Sequence, residues 1–162
     1  EVDMGKAYFS PSLLPSTIQA EKIVDYPITI GGRVYRVTCV GIGNPHCVVF
    51  SEKVDAVDVE TVGPLFENCD YFPERINAEF IRVVNKVTIK MRVWERGNGE
   101  TWSCGTGAAA AVVAAVLNGF CEKDTNITVK LRGGDLVVNY HSDGDVELMG
   151  SVKTVYEGKF EI

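Results

Sequence analysis

Apolar and polar residues alternate with a period of two along most of this chain, which is the pattern of strands with one buried face. The alternation runs through residues 28–30, 34–37, 87–93, 127–131, 136–140 and 146–148. Gly31-Gly32 separates the first two of these segments and Gly133-Gly134 separates two later ones. Each pair is therefore predicted to form a tight hairpin, and the chain is predicted to be rich in antiparallel strands.

Two segments have helical patterns instead. Residues 58–68 are amphipathic, with Asp58 as a predicted N-cap, and Gly63-Pro64 is expected to kink or split that helix. Residues 106–118 carry no charge at all, so this helix is predicted to be buried on every side, with Asn118-Gly119 ending it. Together the elements predict an α+β fold, an antiparallel-rich strand barrel wrapped around a buried central helix.

Composition and charge argue against several classes of function. The chain has 16 basic and 22 acidic residues and a net charge of −6, which argues against binding the phosphates of a nucleic acid. The longest apolar run, residues 108–117, is too short to span a membrane, and no signal peptide is visible. The five cysteines are odd in number and lack CxxC spacing, so neither disulfides nor a zinc site are expected and a cytoplasmic location is predicted.

Cys104 is the strongest candidate for chemistry. It lies at the predicted start of the buried helix, where free backbone N–H groups and the helix dipole should favour a thiolate. Gly105 and Gly107 lack side chains, so a carboxylate could approach the helix terminus closely. A structural cysteine beside a glycine-rich turn is the alternative.

Two further groups of polar residues accompany Cys104. Glu95 and Arg96 end a predicted strand, where Arg could hold a carboxylate and Glu could accept from an ammonium group, or both could form a solvated ion pair. Asn44 and His46 flank a turn, where they could bind a ligand and tune a nearby thiol, or simply cap the turn. The remaining cysteines have apolar or ordinary surroundings and are predicted to be packing residues: Cys39, Cys47, Cys69 and Cys121.

Taken together, these segments resemble the diaminopimelate epimerase family. The resemblance depends on four segments in order, followed by Gly133-Gly134-Asp135-Leu136: Asn44-Pro45-His46, Arg75-Ile76-Asn77-Ala78-Glu79-Phe80, Glu95-Arg96-Gly97-Asn98-Gly99-Glu100-Thr101 and Cys104-Gly105-Thr106-Gly107-Ala108. Each segment alone is a modest signal, whereas the ordered set is specific. Their order and spacing are similar to those of the C-terminal half of the family.

The resemblance implies an isomerase that interconverts LL- and meso-2,6-diaminopimelate, for lysine and peptidoglycan synthesis, without metal or organic cofactor. Two similar domains would enclose the substrate, and each would supply one cysteine for acid–base chemistry. Cys104 matches the catalytic cysteine of the second domain, and His46 matches a residue that tunes the site. The positions that match substrate-binding residues are Asn44, Asn77, Glu95, Arg96, Gly105 and Thr106.

The chain departs from the family pattern in its extent. The family's first domain, which carries the other cysteine in a Cys-Gly-Asn-Gly context, has no counterpart here, so the isolated chain is expected to be inactive. Residues 1–149 are predicted to form the C-terminal domain. Residues 150–162 match a terminal strand that packs on the missing N-terminal domain; without that domain they are expected to be mobile, repacked or exchanged between copies. An exposed apolar cleft would also favour a homodimer.

Three other functions remain open at this stage. The first is another cofactor-independent racemase, similar to proline racemase or to a phenazine-type isomerase. The second is a cysteine hydrolase that uses Cys104 as nucleophile and His46 as base, although no third orienting group is evident. The third is a non-catalytic binding domain.

Overall fold

In the computed structural model, which describes residues 1–160, ten strands form one sheet around a central helix. The elements in chain order are β1 (Val2–Lys6), β2 (Tyr26–Ile30), β3 (Arg33–Gly41), β4 (Pro45–Phe50), a 3-10 turn (Val54–Ala56), α1 (Val59–Glu67), β5 (Asn77–Asn85), β6 (Thr88–Glu95), β7 (Gly99–Thr101), α2 (Gly105–Leu117), β8 (Asn126–Leu131), β9 (Gly134–Tyr140) and β10 (Asp145–Met149). The prediction of a strand-rich α+β fold is confirmed.

The strands follow the order β1-β10-β9-β8-β6-β5-β4-β3-β2, with β7 paired to the second half of β6. Most pairs are antiparallel, as predicted, but β4–β5 and β6–β8 are parallel. The hairpin at Gly31-Gly32 is confirmed: both glycines have left-handed φ angles, 56° and 79°, and Ile30 pairs with Arg33. A bridge between Tyr8 and Gly41 links the chain after β1 to β3, which brings the two ends of the sheet together.

Helix α2 lies inside the curve of this sheet. Residues 108–115 of the helix are completely buried, and the helix contacts β3, β4, β5, β6, β8, β9 and β10. An uncharged helix can be enclosed in this way because none of its side chains needs water. The predicted end is also confirmed, since Asn118 is the C-cap and Gly119 follows with φ at 76°.

Helix α1 packs on the outer face of the sheet in a second apolar cluster. Asp58 caps it, accepting a hydrogen bond from the Thr61 amide at 3.2 Å, as predicted. The helix is not split at Gly63-Pro64, since it is continuous from Val59 to Glu67. Packing explains the difference: a Cβ on Gly63 would lie 2.4 Å from the Trp94 ring, so the glycine lets the helix rest directly on β6.

Residues 151–160 form neither helix nor strand, and all are exposed. Val152 and Tyr156 are 98% and 86% exposed, respectively. The prediction that residues 150–162 pack on another domain is not tested by this arrangement, and residues 161–162 of that segment lie outside the described part. Within residues 1–160, no helix is both long and apolar enough to cross a membrane.

Candidate active site

The candidate residues gather at one end of the sheet because of strand direction. The parallel strands β4 and β5 both begin there, and His46 lies beside Asn77 in their register. The antiparallel strand β6 ends there at Glu95, and α2 begins there at Gly105. Residues separated by up to sixty positions in the chain are thereby brought to one edge.

Cys104 is the N-cap of α2, as predicted. Its backbone is extended, with φ −140° and ψ 113°, and its sulfur accepts a hydrogen bond from the Gly107 amide at 3.3 Å. The Thr106 hydroxyl lies 3.6 Å from the same sulfur. The residue is 8% exposed, so a small part of the cysteine reaches the surface at the free amides of the helix terminus.

The resting form of Cys104 is a thiol, contrary to the expectation that the helix terminus would favour a thiolate. Burial raises its pKa from 9.0 to about 11, and the nearby carboxylate of Glu79 adds to the rise. The hydrogen bonds from Thr106 and Gly107 act in the expected direction and lower the pKa, but they are outweighed. Desolvation therefore dominates over the helix terminus at this sulfur.

Behind Cys104 lies a fully buried pair, His46 and Glu79. The imidazole Nδ1 is 2.7 Å from Glu79 Oε1, and Nε2 is 2.8 Å from the Asn44 side-chain oxygen. Burial raises the pKa of Glu79, while His46 opposes that rise. The second carboxylate oxygen, Oε2, is buried with no hydrogen-bond partner among the described residues. Glu79 was assigned no role from the sequence, although a carboxylate inside the apolar run of β5 was a visible signal.

Gly107 provides the space in which Glu79 and Cys104 meet. A Cβ at this position would lie 2.9 Å from Glu79 Oε1 and 3.2 Å from the Cys104 sulfur. Both atoms therefore lie against the first turn of α2. From the sequence, Gly107 was expected to let a ligand approach the helix. In the structure its missing side chain leaves room for the Glu79 carboxylate beside the Cys104 thiol.

The Asn77 side chain forms hydrogen bonds with two turns of the site. Its amide nitrogen donates to the Pro45 carbonyl at 2.8 Å, and its amide oxygen accepts from the Arg96 backbone N–H at 2.9 Å. Because Asn77 is 4% exposed, these bonds hold the turn that carries Asn44 against the turn that carries Arg96.

Glu95 and Arg96 lie at the rim and are half-buried. The Thr101 hydroxyl donates to the Glu95 carboxylate, and the Arg96 guanidinium donates to the Glu74 carbonyl at 3.1 Å. The side chains are therefore held separately, and the solvated Glu95–Arg96 ion pair considered above does not form. Gly105 and Thr106 are also half-buried at this rim, beside Cys104.

The other cysteines behave as packing residues. Cys39 and Cys47 face each other across β3 and β4 and are completely buried, Cys121 is buried, and Cys69 is half-buried against the outer cluster. Burial raises the pKa of Cys47, Cys69 and Cys121. Across residues 1–160, no group of three or more His, Cys, Asp or Glu side chains is arranged to hold a metal ion.

The fold has a counterpart among solved structures. The fold is similar to that of a hydroxyproline epimerase from Agrobacterium vitis, with a TM-score of 0.60 and 11% sequence identity, over 86% of this chain and 43% of that one. At that identity the likeness shows the fold alone. The fold class is therefore a strand-rich α+β domain wrapped around a central helix, with Cys104 at the start of that helix.

Sequence comparison identifies the family to which the chain belongs. The profile of the family described as diaminopimelate epimerase matches residues 38–155. A diaminopimelate epimerase from Cyanothece sp. is 48% identical over 97% of this chain and 56% of its own length. One from Acetivibrio thermocellus is 44% identical over 100% of this chain and 58% of its own length. The chain belongs to the diaminopimelate epimerase family, and it spans between half and two thirds of the length of these relatives.

Proposed function

We propose that this chain is the C-terminal domain of an enzyme that interconverts LL- and meso-2,6-diaminopimelate, with Cys104 as one of two acid–base cysteines. The observation that carries the proposal is the placement of Cys104: its thiol is the N-cap of α2 and is slightly exposed beside the free helix amides. The reaction would serve lysine and peptidoglycan synthesis. The free cysteines of the described part fit a reducing cytoplasm.

The chemistry requires a proton to leave one face of the α-carbon and another to arrive at the opposite face. With a pKa of about 11, Cys104 holds its proton at neutral pH and is suited to deliver it. The second group, a thiolate on the other face, would come from a domain outside the described residues. When the reaction runs in reverse, Cys104 would be the base.

The amides of Gly105 and Thr106 at the start of α2 are suited to the α-carboxylate of the substrate. These N–H groups have no partner within the helix, and they point along the positive end of its dipole. Charge that develops on the carboxylate as the α-proton leaves would be stabilised there. No residue of this scheme requires a metal or an organic cofactor.

The polar rim would hold the distal amino acid group of diaminopimelate. The Arg96 guanidinium is suited to a carboxylate and the Glu95 carboxylate to an ammonium group. Asn44 adds a half-buried amide at the same edge, and His46 lies directly behind it. Asn77, held between Pro45 and Arg96, would contribute mainly by fixing this rim.

The decisive experiment is α-proton exchange in D₂O with LL-diaminopimelate, using this chain together with the N-terminal domain of a family member. We expect deuterium incorporation only when both parts are present, and none with Cys104→Ser. A Cys69→Ser variant is the control, because that cysteine lies away from the site and exchange should persist. Absence of exchange by a demonstrably assembled pair would overturn the substrate assignment, and exchange of proline instead would indicate another racemase of this fold.

A hydrolase is disfavoured by the geometry of His46. Both of its ring nitrogens are engaged, one by Glu79 and one by Asn44, so neither is bonded to the Cys104 sulfur. A nucleophilic cysteine would need that bond for activation. A binding domain without catalysis predicts that Cys104→Ser keeps all function, which the exchange assay also checks.

We also propose that residues 150–162 pack against the remaining domain of the protein. In residues 151–160, four apolar side chains are more than four-fifths exposed: Val152, Val155, Tyr156 and Phe160. Exposed apolar surface of this kind marks a contact site. Adding the N-terminal domain should protect this segment from proteolysis. Protection in the isolated chain that depends on protein concentration would instead indicate exchange within a homodimer.

A further inference from the structure

The turn that carries Arg96 leaves two of its backbone N–H groups for partners outside the turn. The Asn98 N–H donates to the Glu95 carbonyl at 3.0 Å and closes the turn, in which Gly97 has a left-handed φ of 83°. The N–H groups of Arg96 and Gly97 take no part in that bond. Each therefore needs another acceptor.

Two buried side chains supply these acceptors. Asn77 accepts from the Arg96 N–H at 2.9 Å, and Glu67 accepts from the Gly97 N–H at 2.8 Å. Asn77 is 4% exposed and Glu67 is 5% exposed, so water competes little for either bond. The backbone is thereby fixed on both sides of the Arg96 α-carbon.

Glu67 reaches the turn from the outer face of the sheet. It is the last residue of α1, which packs on that face, whereas Cys104 begins the helix on the inner face. Its Oε2 accepts from the Trp94 indole at 2.7 Å, and its Oε1 also accepts from the Arg75 guanidinium at 3.2 Å. A buried carboxylate with three donors is well stabilised, so these bonds hold Glu67 in place while it accepts from Gly97.

The Arg96 side chain is anchored to the same part of the chain. Its guanidinium donates to the Glu74 carbonyl at 3.1 Å, within the connection from α1 to β5. Glu67 lies at the beginning of that connection and Asn77 at its end. An arginine held in this way has already lost much of its conformational freedom, so less entropy is lost when it binds a ligand.

We propose that Glu67 is a positioning residue for the substrate. From the outer face of the sheet it fixes the turn at Gly97, and it thereby holds the Arg96 guanidinium where a carboxylate of the substrate would bind. The inference rests on the proposed function, which supplies both the substrate and the role of Arg96.

Steady-state kinetics of this chain assembled with the N-terminal domain of a family member test that role. Glu67→Met keeps a similar volume but removes every acceptor, so the turn loses its anchor at Gly97. Arg96 would hold a part of the substrate that does not react, so its contact is equally strong in the ground and transition states. Weakening it raises KM without changing kcat. We expect KM for LL-diaminopimelate to rise about tenfold and kcat to change by less than about twofold.

Two matched variants identify the contact that is responsible. Glu60→Met makes the same replacement at an exposed position in the first turn of the same helix, so KM should not change. Arg75→Gln removes the ion pair with Glu67 but leaves the Gly97 bond intact, so KM should again be unchanged. A rise in KM for Arg75→Gln as large as that for Glu67→Met would assign the effect to the ion pair and overturn the proposal.

A purely structural role for Glu67 predicts a different kinetic result. If Glu67→Met only destabilised the fold, fewer molecules would be active, so the apparent kcat would fall while KM stayed the same. That outcome would also overturn the proposal, because the remaining folded molecules would bind the substrate normally.

Amide hydrogen exchange of the unmodified chain, followed by NMR, gives a second readout that needs no substrate. We expect the Gly97 amide to exchange at least about tenfold more slowly than that of Gly158, which lies in the exposed segment 151–160. Equal rates would overturn the proposal, and this result is decisive even if Glu67→Met does not fold. If the unmodified pair does not turn over LL-diaminopimelate, the substrate assignment fails, whereas slow exchange at Gly97 would still show the anchor; the two ideas therefore fail separately.

Discussion

Gly107 offers a direct test of how closely the acidic group and the thiol are packed. Replacement by alanine would place a Cβ 2.9 Å from Glu79 Oε1 and 3.2 Å from the Cys104 sulfur. Glu79 is held by His46 and cannot withdraw into solvent, so the new methyl group must displace buried atoms. Such overpacking typically costs about 1–3 kcal/mol.

A matched control separates this cost from helix propensity, which favours alanine over glycine by about 1 kcal/mol. Gly105 lies in the same first turn, but its Cβ would meet only the tip of the Leu148 side chain, at 3.1 Å. Since both variants gain the propensity term, Gly107→Ala should be less stable than Gly105→Ala by about 1–3 kcal/mol.

Equilibrium unfolding in urea, followed by the fluorescence of Trp94 and Trp102, measures this difference. With a slope of about 1–3 kcal/mol per molar urea, the two midpoints should be separated by about 1 M. The reasoning would be refuted if Gly107→Ala were as stable as Gly105→Ala, because the carboxylate and the sulfur would then have room to move.

Four further predictions concern Cys104, Asn77 and the cap of α1. Alkylation of Cys104, followed by mass spectrometry of its peptide, should speed up until about pH 11 because the pKa is raised; a plateau near the ordinary value of 9.0 would contradict the burial argument. Because its pKa is higher in the folded protein, this thiol contributes to the free energy of unfolding fully below pH 9.0. That contribution should be lost as the pH rises through about 11. Asn77→Asp removes the donor to the buried Pro45 carbonyl and should cost about 1–3 kcal/mol in urea unfolding, whereas the exposed Asn68→Asp should cost less than half as much. Asp58→Ala should lower stability by about 1 kcal/mol through loss of the α1 cap, and Asp58→Ser should recover most of it; equal stability of both would show that the cap is unimportant.

Local patterns were sufficient for several parts of the fold. The uncharged run before Asn118-Gly119 predicted a helix buried on every side, and α2 is that helix. Cys104 was placed correctly at its start because cap positions depend on neighbouring residues. The hairpin at Gly31-Gly32 was equally local, since two left-handed φ angles are needed there.

Other parts depended on contacts that no local pattern contains. The parallel pairing of β4 with β5 joins strands separated by α1, and it alone brings His46 next to Asn77. The continuity of α1 through Pro64 was mispredicted because the packing of Gly63 on Trp94 outweighs the local preference for a break.

Local patterns predicted several of the strands, the central helix and the position of Cys104 at its start. Tertiary structure alone decided the chemical state of Cys104. Cys104 has a raised pKa because burial removes the water that would stabilise a thiolate, and this outweighs the helix amides that the sequence does reveal. Glu79 likewise meets a histidine 33 positions earlier in the chain only because β5 pairs with β4, and burial there raises its pKa. Desolvation is a property of the whole fold, and for that reason local sequence patterns do not reveal the pKa values of these groups.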